Sequence, residues 1–295
     1  LARWHKRVDT GIFGPFGVSA KFRGSPIGRN LLGAALARLR QIGYDFALIP
    51  AVSGEPLIGY YIKNCGAQVV ERFGVDRMSS GRVRTTVLAS GNGTNLQAVL
   101  DGASSGTLPV DVAAVITNNE AAFALQRART AGVQNCQAFP WNKADEMRSA
   151  YDRRLSDAVE RTEPELVLLL GWMHVLPGSF IEFFSEIINI HPAFLPLDQG
   201  QEEVVMPDGS IIRAYRGAHA IRDALADRSS WIGATAHKVT EQADRGTVLA
   251  RKPQPIKPST AAELVRSTLR PVEHRVLRDA IMRWVFEQRH TLSPV

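Results

Sequence analysis

The sequence is poor in the residues that build disulfide frameworks and metal centres. Among its 295 residues only two are cysteines, Cys65 and Cys136, and they form no Cys-x-x-Cys pair. A disulfide-stapled scaffold and a cysteine-based zinc site are therefore excluded. This cysteine usage is typical of a reduced, cytoplasmic protein. His191, His219 and His237 also lack a local metal-binding spacing, so we expect no metal ion.

Long apolar runs and blocks of basic residues are also missing. No apolar stretch reaches the length of a membrane span. Lysine and arginine do not cluster with aromatic residues as they do on nucleic-acid-binding surfaces. We therefore expect neither a membrane nor a nucleic acid as partner. The formal net charge of +6 suits small anionic substrates instead. No pattern indicates an oligomeric state.

Two segments of different character are joined by a polar stretch around residues 74–86, as domain linkers are. We place a first segment at residues 1–78, a linker at 79–86 and a second domain at 87–295. In the second domain, apolar strand patterns alternate with helical ones. This alternation predicts an α/β fold with a mostly parallel sheet. We expect Pro271 to kink or split a long C-terminal helix.

A glycine-rich loop, SGNGTN, follows the first predicted strand of the second domain and opens a helix. Gly91 and Gly93 let the backbone bend tightly and expose amide N–H groups, and a helix N-terminus favours an anion. The loop matches neither the dinucleotide nor the nucleoside triphosphate fingerprint. A phosphate cradle and an ordinary strand-to-helix turn are both compatible with this loop.

The strand pattern IINIHP places two polar side chains at its carboxyl end, where ligands bind in open α/β sheets. Because side chains alternate along a strand, Asn189 and His191 share one side, and Pro192 ends the ladder. Further along, the turn ADRG presents Asp244. The alternative is that these groups bond only to neighbouring loops and that Asp244 caps its own turn.

An asparagine, a histidine and an aspartate that meet without a serine or cysteine nucleophile suit the addition of an amine to a carbonyl. The amide and a protonated imidazole donate hydrogen bonds to the oxyanion of the tetrahedral intermediate. The aspartate raises the pKa of the histidine and moves the protons of the amine through a water. We therefore expect Asn189, His191 and Asp244 to lie together.

Five motifs occur in an order that resembles the phosphoribosylglycinamide formyltransferases of purine biosynthesis. They are SGNGTN, PELVLLLGWMHVL, INIHPAFLP, TAHKVTEQADRGTVL and VEHRVLRDAIMRW, spread over residues 83–295. The resemblance implies a Rossmann-like formyltransferase fold. It also implies a one-carbon transferase that moves a formyl group from the folate co-substrate 10-formyltetrahydrofolate to the amine of phosphoribosylglycinamide.

The resemblance also implies roles for individual residues. It implies that the catalytic residues are Asn189, His191 and Asp244. The residues that bind the phosphate and ribose of the substrate are then Gly91, Asn92, Gly93, Thr94, Asn95 and Glu273. The residues that bind the folate are then Met173, His174, Val175 and Leu176.

This chain departs from the family pattern at three places. His174 stands where the family usually carries arginine, so we expect different folate contacts there, or a residue at the surface. Residues 197–214 lengthen a loop that is short in the family, and their MPDGSII centre predicts a small hairpin that either covers the site or decorates an edge. Arg245 follows Asp244 where the family commonly has glycine.

The first segment resembles the second half of a GNAT-type acetyltransferase. There, an Arg-x-x-Gly-x-Gly loop binds the pyrophosphate of acetyl-CoA, which implies a role for Arg23, Gly24, Ile27 and Gly28. Pro26 departs from that loop and removes an N–H group. The strands that supply much of the acceptor site in the family are missing here. Two alternatives therefore stay open for this segment. It either binds acetyl-CoA, with or without acetyltransferase activity, or it is a truncated relic of such a domain.

Other functions are compatible with the sequence, either with a different reaction or without catalysis. A formyltetrahydrofolate hydrolase, or a formyltransferase with another amine acceptor, would use the same three side chains. An inactive module that binds acetyl-CoA or folate would not need them.

Overall fold

The structure, a computed structural model, describes residues 10–12, 26–42, 44, 46–48, 55–68 and 81–291. The chain divides into one unit of residues 1–80 with 293–295 and another of residues 81–292. In the part of the chain that the structure describes, no helix is both long and apolar enough to cross a membrane.

Two strands and two helices make up the described part of the smaller unit. Strand β1 (Thr10–Ile12) pairs in parallel with β2 (Phe46–Leu48). Helix α1 (Ile27–Gln41) carries the helical spacing seen in the sequence and buries Leu32, and α2 spans Glu55–Cys65. Residues 16–22, FGVSAKF, have a strand-like pattern and lie outside the described residues.

A seven-stranded sheet forms the centre of the larger unit. Its strands, in chain order, are β3 (Val83–Ala89), β4 (Val110–Thr117), β5 (Asn135–Ala138), β6 (Leu166–Leu169), β7 (Ile187–His191), β10 (Trp231–Lys238) and β11 (Val248–Pro255). The spatial order is β11-β10-β7-β6-β3-β4-β5. The five strands from β7 to β5 in this order run parallel to one another. Strand β10 runs antiparallel to both of its neighbours, β7 and β11. The predicted mostly parallel α/β fold is confirmed.

Helices cover both faces of this sheet, which is why its central strands are apolar without alternation. The helices of the larger unit are α3 (Thr94–Ser104), α4 (Phe123–Thr130), α5 (Arg148–Glu160), α6 (Gly178–Phe183), α7 (Ala220–Ala226) and α8 (Ala262–Thr291). Helices α3, α4 and α8 pack in one hydrophobic cluster with the sheet. Helices α5 and α6 pack in another, around Tyr151 and Phe180.

The direction of the strand order reverses between β3 and β6. From β3 the chain moves outward to β4 and β5, and it then returns to β6 and β7 on the other side. Loops at the carboxyl ends of β3 and β6 therefore diverge and leave a crevice, which is where such sheets bind ligands. Across this point the Met173 backbone N–H donates to the Ser90 Oγ over 2.9 Å.

Two local predictions differ from the structure. Strand β3 begins at Val83, so residues 83–86 belong to the sheet and not to the predicted linker; Thr85 and Thr86 are fully buried. Pro271 does not split α8, which continues from Ala262 to Thr291, because packing of its apolar side chains against the sheet overrides the local preference.

The predicted hairpin in the lengthened loop is present. Strands β8 (Glu203–Val205) and β9 (Ile211–Arg213) pair antiparallel around a turn at Asp208 and Gly209. Gly209 has a φ of 84°, which explains why glycine follows aspartate there. The Trp231 Nε1 donates to Asp208 Oδ2 over 2.8 Å, which fastens the turn to β10.

Candidate active site

Asn189, His191 and Asp244 lie together at the carboxyl end of β7. The Asn189 Nδ2 lies 3.4 Å from the Asp244 Oδ1. The His191 Nδ1 lies 3.4 Å from the other carboxylate oxygen, Oδ2. The two strand residues are two positions apart and so face the same side of the sheet, while Asp244 reaches them from the turn between β10 and β11.

His237 is the fourth member of this cluster. It stands opposite Asn189 in the antiparallel pairing of β7 with β10. Its Nε2 lies 3.2 Å from Asn189 Nδ2 and 3.3 Å from Asp244 Oδ1. Its Nδ1 donates to the Lys238 carbonyl over 2.8 Å. His237 thus contacts the site as a strand-face residue.

The turn that carries Asp244 is held in an uncommon backbone conformation. Asp244 has a φ of 55°, in the left-handed region that few non-glycine residues adopt. The Gly217 N–H donates to its Oδ2 over 2.7 Å, and the Arg216 Nε donates to its carbonyl over 3.3 Å. A side chain at Gly246 would collide with the Lys238 carbonyl, so the glycine allows the turn to pass close to β10.

The pKa values of both acid–base groups are lowered, which favours the ionised form of Asp244 and the neutral form of His191. Burial opposes ionisation of Asp244, but the His237 hydrogen bond, the His191 charge and the Gly217 N–H together lower its pKa. Burial lowers the pKa of His191, and the nearby Asp244 only partly offsets this. Asp244 does raise the pKa of this histidine, as expected, but desolvation of a fully enclosed imidazolium outweighs the effect of one carboxylate.

The tautomer of neutral His191 follows from its backbone contact. Its Nε2 lies 2.7 Å from the Tyr215 carbonyl oxygen, which only accepts hydrogen bonds. The Nε2 therefore carries the proton in the neutral ring, and the Nδ1 faces Asp244 as the position that gains or loses a proton.

The glycine-rich loop opens α3 at the carboxyl end of β3. Gly93 caps the helix with a φ of 67° and no side-chain hydrogen bond. A Cβ there would lie 2.8 Å from the Ala124 Cα, so only glycine fits. The Arg127 Nε donates to the Asn92 carbonyl over 2.8 Å. This arginine, which sequence reasoning did not single out, supports the loop and adds positive charge beside the helix N-terminus.

Glu273, on α8, lies beside Asn95 of this loop. Burial raises the pKa of Glu273 to about 7, although the side-chain amide of Asn95 and the charges of Arg270 and Arg266 favour its ionised form. The Asn95 Oδ1 is buried without a hydrogen-bond partner among the described residues. The structure thus brings together Glu273 and the loop residues assigned to the ribonucleotide.

The segment assigned to the folate follows β6 across the crevice. Met173 and Val175 are exposed, whereas Leu176 belongs to the core. His174 is half-buried. Its ring makes edge contacts with Trp141, Tyr151 and Trp172, and burial, then the Arg148 and Lys143 charges, lower its pKa.

The other sequence predictions concern the first unit and metals. Ile27 and Gly28 open α1 directly after Pro26, and Arg23 and Gly24 lie outside the described residues. Within the ranges that the structure describes, no group of three or more potential ligands could hold a metal ion.

Comparison with known proteins identifies the larger unit. The formyl transferase family model matches residues 83–281. Phosphoribosylglycinamide formyltransferase of Dictyostelium discoideum is 35% identical over 212 residues, covering 66% of this chain and 94% of the relative. The Escherichia coli enzyme of the same name is 31% identical, covering 64% and 81%.

A solved structure agrees with the sequence relatives. Glycinamide ribonucleotide transformylase 1 from Symbiobacterium toebii superposes with a TM-score of 0.60 at 33% identity, covering 69% of this chain and 87% of that one. The prediction of a formyltransferase enzyme is confirmed, and residues 1–82 precede the matched range. The chain therefore belongs to the formyl transferase family.

Proposed function

We propose that the chain transfers the formyl group of 10-formyltetrahydrofolate to the amine of phosphoribosylglycinamide, a step of de novo purine biosynthesis. The observation that carries this proposal is that Asn189 and His191 both lie against the carboxylate of Asp244. The similarity to phosphoribosylglycinamide formyltransferases supports the choice of substrates.

In this mechanism the substrate amine adds to the formyl carbon of the folate. The carbonyl oxygen becomes an oxyanion, and the amine nitrogen gains a positive charge. Asp244, ionised because its pKa is lowered, takes a proton from that nitrogen through a water. The proton then passes to N10 of the folate as the carbon–nitrogen bond breaks, which leaves tetrahydrofolate and the formylated ribonucleotide.

Asn189 and His191 stabilise the oxyanion. The Asn189 Nδ2 lies 3.2 Å from His237 and 3.4 Å from Asp244, and the longer contact is the one that the oxyanion replaces. Such contacts are often long before the substrate binds and tighten in the reacting complex. His191 takes up a proton from solvent at Nδ1 when the substrates bind and returns it when the carbonyl re-forms. The oxyanion and Asp244 together offset the desolvation of the imidazolium.

The remaining predicted residues hold the two substrates. The N–H groups of residues 91–95 bind the phosphate at the N-terminus of α3, and Glu273 accepts hydrogen bonds from the ribose hydroxyls. The folate lies against the exposed Met173 and Val175, beside His174. The Ser90–Met173 hydrogen bond joins the two binding segments across the crevice.

A formyl-transfer assay tests this proposal. The purified chain, 10-formyltetrahydrofolate and phosphoribosylglycinamide should turn over, and loss of formyl-folate should require the ribonucleotide. Asn189→Ala should reduce kcat about 10²–10³-fold, the usual cost of one oxyanion donor. Asp111→Asn is the matched control, because Asp111 is exposed near the amino end of β4, remote from the site. Formyl-folate loss without the ribonucleotide would instead establish a hydrolase.

The relation of residues 1–78 to acetyltransferases is a separate hypothesis, carried by the sequence pattern around Arg23 and Gly28. Equilibrium dialysis of the full chain with acetyl-CoA tests it. Binding that is lost in Arg23→Ala supports a retained coenzyme site, whereas no binding in the unsubstituted chain supports a relic.

A further inference from the structure

The lengthened loop, residues 197–214, contacts the turn that carries Asp244. Two arginines make these contacts: Arg245 lies in the turn itself, and Arg216 bonds to the Asp244 carbonyl. The Arg216 Nη2 donates to the Gln201 carbonyl over 2.8 Å. The Arg245 Nη1 donates to the Gln199 carbonyl over 2.7 Å. The loop is therefore fastened to the site as well as carrying a hairpin at its edge.

Glu202 joins these two arginines. One oxygen of its carboxylate accepts from the Arg216 Nη1 over 2.7 Å, and the other accepts from the Arg245 Nη2. Hydrogen bonding from Arg245 lowers the pKa of Glu202 despite partial desolvation. The two arginine side chains are 12% and 27% exposed, so Glu202 fixes two long side chains that are mostly withdrawn from water.

Both arginines lead directly to Asp244. Arg245 is its neighbour in the chain, and Arg216 bonds to its carbonyl and precedes Gly217, whose N–H holds its Oδ2. The left-handed backbone conformation of Asp244 is unfavourable for a residue with a side chain. It therefore needs contacts from surrounding residues to hold it. Where the resembling family commonly has glycine, this chain has Arg245, and its partner Glu202 lies in the lengthened loop.

We infer that Glu202 is a positioning residue for the formyl transfer, acting through Arg216 and Arg245 on the Asp244 carboxylate. This inference rests on the proposed function. The loop thereby has a role in catalysis, because it holds the proton-transfer group in place. A displacement of about 1 Å at such a group can cost about 10²-fold in rate, whereas an exposed ion pair contributes little to stability.

Steady-state kinetics of Glu202→Gln in the full chain test the inference. We expect kcat to fall about 10-fold or more, with KM for both substrates within about twofold, since Asp244 acts in the transition state. Glu203→Gln is the matched control, because this exposed neighbour makes the same change of charge without a side-chain partner among the described residues. Glu202→Asp, which keeps the carboxylate, should recover part of the rate.

A second measurement does not depend on turnover. The imidazole ¹⁵N resonances of His191 and His237 report the position of the carboxylate between them. They should shift in Glu202→Gln and stay in place in Glu203→Gln, with thermal unfolding temperatures alike. Shifted resonances in a chain without formyl transfer would retain the positioning role and reject the proposed function. Transfer with unchanged kcat and unchanged resonances in Glu202→Gln would overturn the inference alone.

Discussion

Two partly buried carboxyl groups of this protein, Asp244 and Glu273, have pKa values shifted in opposite directions. Asp244 is surrounded by donors from three elements, and its pKa is lowered although its side chain is only 9% exposed. Burial raises the pKa of Glu273 to about 7, although the Asn95 amide and the charges of Arg270 and Arg266 act against it. Hydrogen-bond donors around a carboxyl group, more than its burial, therefore decide whether the group stays ionised.

This difference matches the two roles that we propose. A carboxylate that is always ionised can accept a proton from an amine at any physiological pH. A carboxyl group that titrates near neutrality becomes a better acceptor of ribose hydroxyls when a bound substrate supplies donors.

Asp244→Asn should have the largest effect. It retains the shape of the side chain but removes the proton acceptor, so kcat should fall about 10²–10⁴-fold, the usual range for a general acid–base group. Steady-state formyl transfer measures this, with Asp111→Asn as the control. A rate within about threefold of the unsubstituted protein would contradict the proton-transfer role.

The pH dependence of stability should differ between the two carboxylates. A pKa of about 7 for Glu273, against 4.5 in an unfolded chain, means that the folded protein binds an extra proton between these values. Its contribution to stability is present below pH 4.5 and is lost as pH rises through about 7. Asp244 has a lowered pKa, so its contribution is present above its unfolded value of 3.8 and is lost only in acid.

Urea unfolding of Glu273→Gln at several pH values measures this difference. The free energy of unfolding of the unsubstituted protein should fall relative to the variant by up to about 3 kcal/mol between pH 4.5 and 7. Parallel curves for the two proteins over that interval would show that Glu273 is not desolvated, and would remove the contrast with Asp244.

Glu273→Gln should also weaken binding of the ribonucleotide. Loss of charge-assisted hydrogen bonds to ribose hydroxyls should raise the KM for phosphoribosylglycinamide about 10-fold, with a smaller change in kcat. The KM for 10-formyltetrahydrofolate should stay the same, which serves as the internal control. Equal rises in both KM values would point to a general distortion of the crevice rather than to a lost ribose contact.

Local patterns were sufficient to predict much of this fold. The alternation of strands and helices, the Gly93 turn and the Asp208–Gly209 hairpin all depend on neighbours within a few residues. The common side of Asn189 and His191 followed from the period of a single strand. Pro271 shows the limit of such rules, because the packed helix continues through it.

The sequence by itself therefore determined the elements, the loop at the start of α3 and the pair of polar groups that ends β7. Only the tertiary structure decided that His237 faces Asn189, that Glu273 lies beside Asn95, and that Glu202 joins Arg216 to Arg245. It also decided the directions of the pKa shifts of His191 and Asp244. These depend on burial and on donors from distant segments, which local spacing does not encode.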